Sequence, residues 1–256
     1  MSNMDFSLEN KVALVTGGSR GIGKATALGF ARAGADVVVA SRKLPDLEKV
    51  AEEINGLGRK SLAVAAHAGR LEEINELVSK VSEEFGRIDI LVNNAGTSPA
   101  MSPILGWDER LWDSVMNLNL KGLVFLSQAV AKVMMEHGGG NIINVASVAG
   151  FRHEVNVGIY AISKAGVIMA TRVMAQEWAE HNIRVNAIAP GHVHTRLGDS
   201  IFTVVPEYEK ELLQRVPMGR IGEPDEIVGA MIYLASDASS FVTGETLVLD
   251  GGTLLT

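Results

Sequence analysis

The sequence predicts an α/β fold: one sheet of seven parallel strands with helices on both faces, forming a single domain over residues 1–256. Three observations predict it. Seven short apolar runs, rich in β-branched residues, alternate with segments of helical period. The first run leads through a glycine-rich turn directly into a helix. No repeat, low-complexity tract or linker interrupts the alternation, and 256 residues with 47% hydrophobic content suffice to bury one large core.

Residues 11–16 (KVALVT) read as a buried strand that ends in glycines. The turn Gly17-Gly18-Ser19-Arg20-Gly21-Ile22-Gly23 follows, then a helix over residues 24–33. Residues 36–41 (DVVVAS) form the second strand. Residues 45–57 form a helix with Pro45 in its first turn and Leu47, Val50, Ala51 and Ile54 on one face. A third strand covers 60–66, a third helix 71–85 and a fourth strand 88–92. Residues 107–136 are a long helical stretch with a break near 117–121, because Asn117 and Asn119 are poor interior helix formers. Gly138 to Gly140 end it, and 141–146 (NIINVA) is the fifth strand. A helix over 159–180 and a strand over 183–189 follow, closed by Pro190-Gly191. Residues 192–216 have no single period, with a helix-like segment after Pro206; such a connection beside a strand end reads as a lid. A helix over 223–235 and a strand over 246–250 complete the chain.

Strand, glycine turn and helix together are the context that a dinucleotide phosphate site requires. Glycines let the backbone approach the pyrophosphate, and the helix start offers unpaired N–H groups to it. At the end of the second strand an acidic residue would bind a ribose 2′-hydroxyl; the chain has Ser41-Arg42-Lys43 there, with Arg20 in the glycine turn. A hydroxyl and cations suit a 2′-phosphate, so NADP(H) is favoured over NAD(H). Asn93 and Asn94 end the fourth strand and can tie loops together, while small Ala95 and Gly96 leave room for a ribose.

The pattern richest in chemistry is Tyr160-Ala161-Ile162-Ser163-Lys164. Tyrosine and lysine four residues apart share one helix face. An ammonium lowers the pKa of a phenol, and such a pair can trade a proton with a carbonyl or alcohol oxygen near neutral pH. Ser147, thirteen residues earlier at a strand tip, can hydrogen-bond a substrate oxygen. No Gly-x-Ser-x-Gly elbow surrounds it, which argues against a hydrolase.

Composition narrows the rest. Cysteine is absent, which removes thiolate chemistry and suits a reducing compartment. A net charge of −7 argues against nucleic-acid binding. Residues 1–10 carry Asp5 and Glu9 without a basic start, unlike a signal peptide. No apolar run approaches the roughly 20 residues that span a bilayer, so a soluble cytoplasmic protein is expected. The His192-x-His194 pair lacks further ligands, so no metal site is expected.

TGGSRGIG (Thr16 to Gly23), NNAG (Asn93 to Gly96), Asn119 in NLNLKG, Ser147, YxxxK, PGHVHT (Pro190 to Thr195) and DGG (Asp250 to Gly252) occur in the order and spacing of one family. Over residues 11–252 the chain resembles the short-chain dehydrogenases/reductases, in the roughly 250-residue branch that is nearly all Rossmann fold. The resemblance implies an oxidoreductase that interconverts a ketone and a secondary alcohol. Tyr160 would be the general acid or base, Lys164 would lower its pKa and hold the nicotinamide ribose, and Ser147 would orient the substrate oxygen. Asn119 would hold a water linking Lys164 to solvent, and Val193 and Thr195 would hold the carboxamide. Gly17, Ser19, Gly21, Ile22, Gly23, Ser41, Arg42, Asn94, Ala95, Gly96, Pro190 and Gly191 complete the implied cofactor site. Two departures stand out: His67 replaces the family's usual acidic residue after the third strand, and His192 and His194 flank Val193.

The pocket is expected between residues 97–105, 150–156 and the lid, with Arg152, His153, His192 and Arg196 as candidates to meet an anionic substrate group. The implied substrate is a small or acyl-type 3-oxo compound; the alternative is a sugar or sugar acid with NAD(H). Arginines that dock acyl-carrier protein in similar reductases are replaced by Gly138 and His181. A catalytically silent cofactor sensor or scaffold is the reading from another class. A homotetramer through the helices at 107–136 and 159–180 and the last strand is implied, with Met134, Met135, Met169 and Met174 in that interface or in the core.

Overall fold

The computed structural model describes residues 6–98, 102–152, 156–199 and 207–256. His153, one of the substrate candidates, lies outside them, as do residues 200–206 of the expected lid.

Seven strands form one parallel sheet in the order β3-β2-β1-β4-β5-β6-β7. They are β1 (Val12–Thr16), β2 (Asp36–Ser41), β3 (Ser61–Ala65), β4 (Ile90–Asn93), β5 (Gly140–Val145), β6 (Ile183–Pro190) and β7 (Thr246–Leu249). Strand order reverses between β1 and β4, which pair through Ala13–Ile90, Leu14–Leu91 and Val15–Val92. The crevice outside the carboxyl ends of such a pair is where open α/β sheets bind ligands.

Alternation along each strand feeds two cores. Val12 and Leu14 face the layer built by α3 (Leu71–Phe85), α5 (Gly122–Glu136) and α6 (Gly158–Trp178). Ala13 and Val15 face the opposite layer, built by α1 (Gly21–Arg32), α2 (Leu44–Gly56) and α8 (Pro224–Ala235). The expected helical faces are the buried ones: Leu47, Val50, Ala51 and Ile54 of α2, and Ile74, Leu77, Val78 and Val81 of α3. Helix α3 stops at Gly86, whose φ of 74° closes the helix on the Ser82 carbonyl.

The break expected near residues 117–121 is a π-helical turn, Asn117–Lys121, between α4 (Glu109–Met116) and α5. It lets Asn119 point inward, 1% exposed, while the helix continues. One expectation is corrected here. The continuous helical run Glu109–Glu136 is long and apolar enough to cross a membrane, although no single apolar run in the sequence reaches that length. Its apolar residues Leu123, Leu126, Val130 and Met134 are buried against the sheet, as in the core helix of a globular domain. After β6, residues 192–194 are pinned by a bridge between Val193 and Gly222, residues 196–199 make a helical turn, and α7 (Glu207–Arg215) carries the segment back.

Candidate active site

The β1–α1 turn is shaped by two close approaches. Gly17 has φ 65°, and a Cβ on it would lie 2.6 Å from Asn94 Nδ2. A Cβ on Gly23 would lie 2.3 Å from the Gly17 carbonyl oxygen. No side chain caps the start of α1, so its first N–H groups can receive an anion. Gly21 lies against Thr195, whose Cγ2 would be 3.1 Å from a Cβ there. The glycine turn and the segment after β6 therefore face one another. Ser19 and Ile22 are half-buried and Arg20 is exposed at the same edge. Ser41 is half-buried at the tip of β2 and Arg42 exposed beyond it; the Gly18 N–H bonds the Ala40 carbonyl at 3.3 Å, holding that tip to the glycine turn.

Across the switch point Thr16 and Asn94 lock β1 to β4. The Thr16 hydroxyl donates to the Val92 carbonyl at 3.1 Å and accepts from Asn94 N at 3.1 Å and Ala95 N at 3.2 Å. Asn94 Nδ2 donates to the Thr16 carbonyl at 2.9 Å. Asn93 turns the other way, into the core. Its Nδ2 donates to Ser127 Oγ at 2.8 Å and Asn144 Oδ1 at 2.9 Å, and Asn144 Nδ2 donates to Thr171 Oγ1 at 2.9 Å. This buried chain ties β4 to α5, β5 and α6.

The structure brings the four expected catalytic residues together. Lys164 is 4% exposed, and its ammonium donates to the Val145 carbonyl at 2.6 Å. It lies 5.6 Å from the centroid of the Tyr160 ring. Burial lowers the Lys164 ammonium to about 8 from its ordinary 10.5. Ser147 caps a short 3-10 turn, Val148–Gly150, with its Oγ accepting from Ala149 N at 3.2 Å, which leaves the O–H to donate. That turn packs on α6, since a Cβ on Gly150 would lie 2.9 Å from the Lys164 carbonyl carbon. Asn119 Oδ1 accepts from Thr97 N at 2.8 Å, and its Nδ2 donates to Thr97 O at 2.9 Å and Ser163 Oγ at 3.0 Å. A Cβ on Gly96 would lie 3.5 Å from Asn119 Oδ1 and 3.7 Å from Lys164 Nζ, so Gly96 borders both.

Other candidates have different surroundings. Val193 is buried in the core, and Pro190 ends β6 beside Leu249, with Gly191 N donating to the Leu249 carbonyl at 2.9 Å. Thr195 Oγ1 accepts from Gly198 N at 2.9 Å. His194 Nδ1 is 3.0 Å from Asp199 Oδ1 and its Nε2 4.0 Å from Glu223 Oε1, and the Asp199 carboxylate holds the imidazole above its usual pKa. His192 accepts a backbone bond from Gly222 N at 3.0 Å. Arg196 is exposed at the start of the 196–199 turn. Arg152 donates to the Thr253 carbonyl at 3.0 Å, a structural contact that its placement as a substrate cation did not foresee. His67 accepts from Gly69 N at 3.1 Å through Nδ1 and its own N–H bonds Glu73 at 2.7 Å, so it organises the turn after β3. The sequence reading missed Thr16, Ser127, Asn144, Ser163 and Thr171. Their signal is a polar residue at a buried position of an otherwise apolar strand or helix face.

The uncapped α1 start, the glycine cradle and the buried Lys164 ammonium fit a nicotinamide dinucleotide. Comparisons agree. A family model described as "Enoyl-(Acyl carrier protein) reductase" matches residues 17–253. A 2-dehydro-3-deoxy-D-gluconate 5-dehydrogenase of Escherichia coli is 44% identical over 250 residues, 97% of each chain. A 3-oxoacyl-(acyl-carrier-protein) reductase of Thermotoga maritima is 42% identical over 250 residues, 97% of this chain and 99% of that one. The crystal structure of a gluconate 5-dehydrogenase from Burkholderia cenocepacia in complex with NADP and tartrate superposes with a TM-score of 0.94 at 35% identity, covering 99% of both chains.

Proposed function

We propose a substrate class and a proton path for this chain, which belongs to the short-chain dehydrogenase/reductase family. It is an oxidoreductase acting on CH–OH groups with NAD(P). One observation carries the proton path: a buried ammonium stands one helical turn from Tyr160, on the Val145 carbonyl at the end of β5 and bordered by Gly96. A nicotinamide held there would supply a hydride to the carbonyl carbon or accept one from the carbinol carbon. The Tyr160 hydroxyl gives its proton to the carbonyl oxygen in reduction and takes one from the alcohol in oxidation. The Lys164 ammonium stabilises the phenolate. The Ser147 O–H bonds the substrate oxygen. The Asn119 side chain bonds Thr97 and Ser163, and Asn119 holds the water that passes protons to Lys164.

NADP(H) is the preferred cofactor in this reading. Ser41 and Arg42 at the β2 tip and Arg20 in the glycine turn receive the 2′-phosphate. Charge-assisted hydrogen bonds contribute about 1.5–3 kcal/mol each, so Arg42→Ala is expected to raise the NADPH Michaelis constant about tenfold or more and leave that for NADH nearly unchanged. Parallel titrations with both cofactors check this; equal effects on both would remove the preference.

The substrate is a free hydroxy or keto sugar acid rather than a carrier-bound acyl chain. Where carrier docking would need arginines, Gly138 is bare and His181 lies beside Glu180, 3.7 Å between Nε2 and Oε1. Arg196 meets the substrate carboxylate. With NADP+, 2-dehydro-3-deoxy-D-gluconate is expected to give a kcat/KM at least about tenfold above that for acetoacetyl-CoA with NADPH, and Arg196→Ala to raise its KM about tenfold, the weight of roughly 1.4 kcal/mol. The reverse order of substrates would return the acyl reading. NADPH binding with no turnover of either would favour a sensor.

The enzyme acts in the cytoplasm as a homotetramer in this reading. Exposed apolar residues on adjacent helices, Trp112 and Phe125 with Met169 and Val173, support that assembly. Met135 shares this exposure, whereas Met134 and Met174 belong to the core.

A further inference from the structure

Helix α6 carries Tyr160 in a first turn that its own sequence secures poorly. The N-cap is Val157, no side chain caps it, and the first helical residue is Gly158. An uncapped start with a glycine in it favours fraying. The next turn is anchored on the π turn. Asn119 Nδ2 donates to Ser163 Oγ at 3.0 Å, the Ser163 hydroxyl donates to the Tyr160 carbonyl at 2.7 Å, and a Cβ on Gly166 would lie 2.7 Å from Leu120 Cδ2.

The start of α6 meets a different anchor. Asp108 caps α4 by accepting from Leu111 N at 2.7 Å. Trp107, just before that cap, packs on Trp112 one turn into the helix, with ring centroids 6.4 Å apart at 43°. This pairing is a hydrophobic staple, which fixes the angle at which the chain enters a helix. Trp107 Nε1 also donates to the Ser102 carbonyl at 3.0 Å. The half-buried indole lies against Gly158: a Cβ there would stand 3.0 Å from Trp107 Cζ2 and 3.2 Å from Cη2. The glycine that weakens the first turn is therefore what admits the ring. Helix α4 continues directly into the π turn. One helical rod thus touches α6 on both sides of Tyr160, at Trp107 and at Asn119 with Leu120.

We propose that Trp107 is a positioning residue for Tyr160: stapled to the start of α4, its indole seats the uncapped first turn of α6 through the Gly158 backbone, while the π turn seats the turn after it. The proposal rests on Tyr160 being the proton donor described above. A displacement of about 1 Å at a reacting centre costs on the order of a hundredfold in rate, so a first turn that moves by a fraction of that is felt in turnover.

Hydrogen exchange on the full chain tests the seating whatever the substrate. Trp107→Ala is expected to raise exchange in residues 158–162 at least about threefold and to leave 167–178 unchanged, whereas Trp107→Phe, which keeps an aromatic ring for the staple, stays within about twofold of wild type in both. Unchanged exchange at 158–162 in Trp107→Ala would overturn the proposal. Single turnovers with the best substrate of the native enzyme test what the seating does. Trp107→Ala should slow hydride transfer about tenfold or more, leave the NADPH dissociation constant within about twofold, and slow Tyr160→Phe by less than about twofold. An equal loss in both backgrounds would mean that the indole acts apart from the Tyr160 hydroxyl, which overturns the positioning role; a Tyr160→Phe variant with the native rate would instead overturn the proton path on which that role rests. Gly158→Ala, which presses a methyl on the indole, should slow transfer several-fold, and Gly158→Ala/Trp107→Phe should recover most of that loss because the shorter ring makes room. No recovery in the double variant would contradict the contact as the setting element.

Discussion

Lys164→Met is expected to lose about three orders of magnitude or more in turnover while making the cofactor-free protein more stable at neutral pH. Turnover falls because the variant has no ammonium to favour the Tyr160 phenolate. Stability rises because a charged group buried against a single carbonyl is costly. Burial takes Lys164 from 10.5 to about 8, and at about 1.4 kcal/mol per pKa unit the charge costs on the order of 3 kcal/mol at pH 7. Some of that returns as lost packing and the lost bond to Val145, leaving a gain of about 1–3 kcal/mol. The sign of the pH dependence follows from which state holds the proton. Below pH 8 both states bind it and the penalty is complete. Between about 8 and 10.5 the unfolded chain still binds it and the folded chain does not, so wild-type stability from this group rises with pH. The difference between variant and wild type should therefore shrink from pH 7 to pH 10 in parallel denaturant titrations. A variant less stable than wild type at pH 7, or a difference that does not change with pH, would contradict this description of the lysine.

The second large effect is expected beneath the site. Asn93, Ser127, Asn144 and Thr171 are each 4% exposed or less and are joined by hydrogen bonds of 2.8–2.9 Å. Asn144→Ala removes an acceptor from Asn93 and a donor from Thr171 at once. Leaving buried polar groups unpaired costs about 1–3 kcal/mol each, so a loss of about 2–4 kcal/mol is expected, seen as a fall in Tm of roughly 5–15 °C. Asn93→Ala/Asn144→Ala should cost less than the two single losses added, because the partners vanish together. Strict additivity in thermal unfolding would mean that these residues do not act as one network.

Seven strands and their helices are legible in the sequence because a parallel sheet covered on both faces needs continuous apolar strands, and KVALVT, DVVVAS and NIINVA can do little else. Helix α3 has the bounds expected from the sequence, residues 71–85. The break at Asn117 is legible as a propensity conflict, but not as a π turn, because that depends on what Asn119 finds at Thr97 and Ser163. Tyr160, Lys164, Ser147 and the glycine turn are legible because each is a residue type with few other uses in that context. Arg152 marks a limit of the sequence, since its bond to the Thr253 carbonyl is not legible there. A cation in a pocket-lining loop looks the same in sequence whether it meets a substrate or a carbonyl 101 residues away. Asn144 and Thr171 were missed for a related reason: their partners are remote in sequence, and only the folded sheet puts them side by side.

The most direct measurement is a single turnover of Tyr160→Phe, followed as NADPH absorbance with the best substrate of the native enzyme, beside NADPH affinity of the same variant. Removing the hydroxyl alone should slow hydride transfer by about 10²–10⁴-fold and leave the NADPH dissociation constant within about threefold. A variant that binds NADPH normally and keeps more than about a tenth of the native rate would mean that the proton comes from another group.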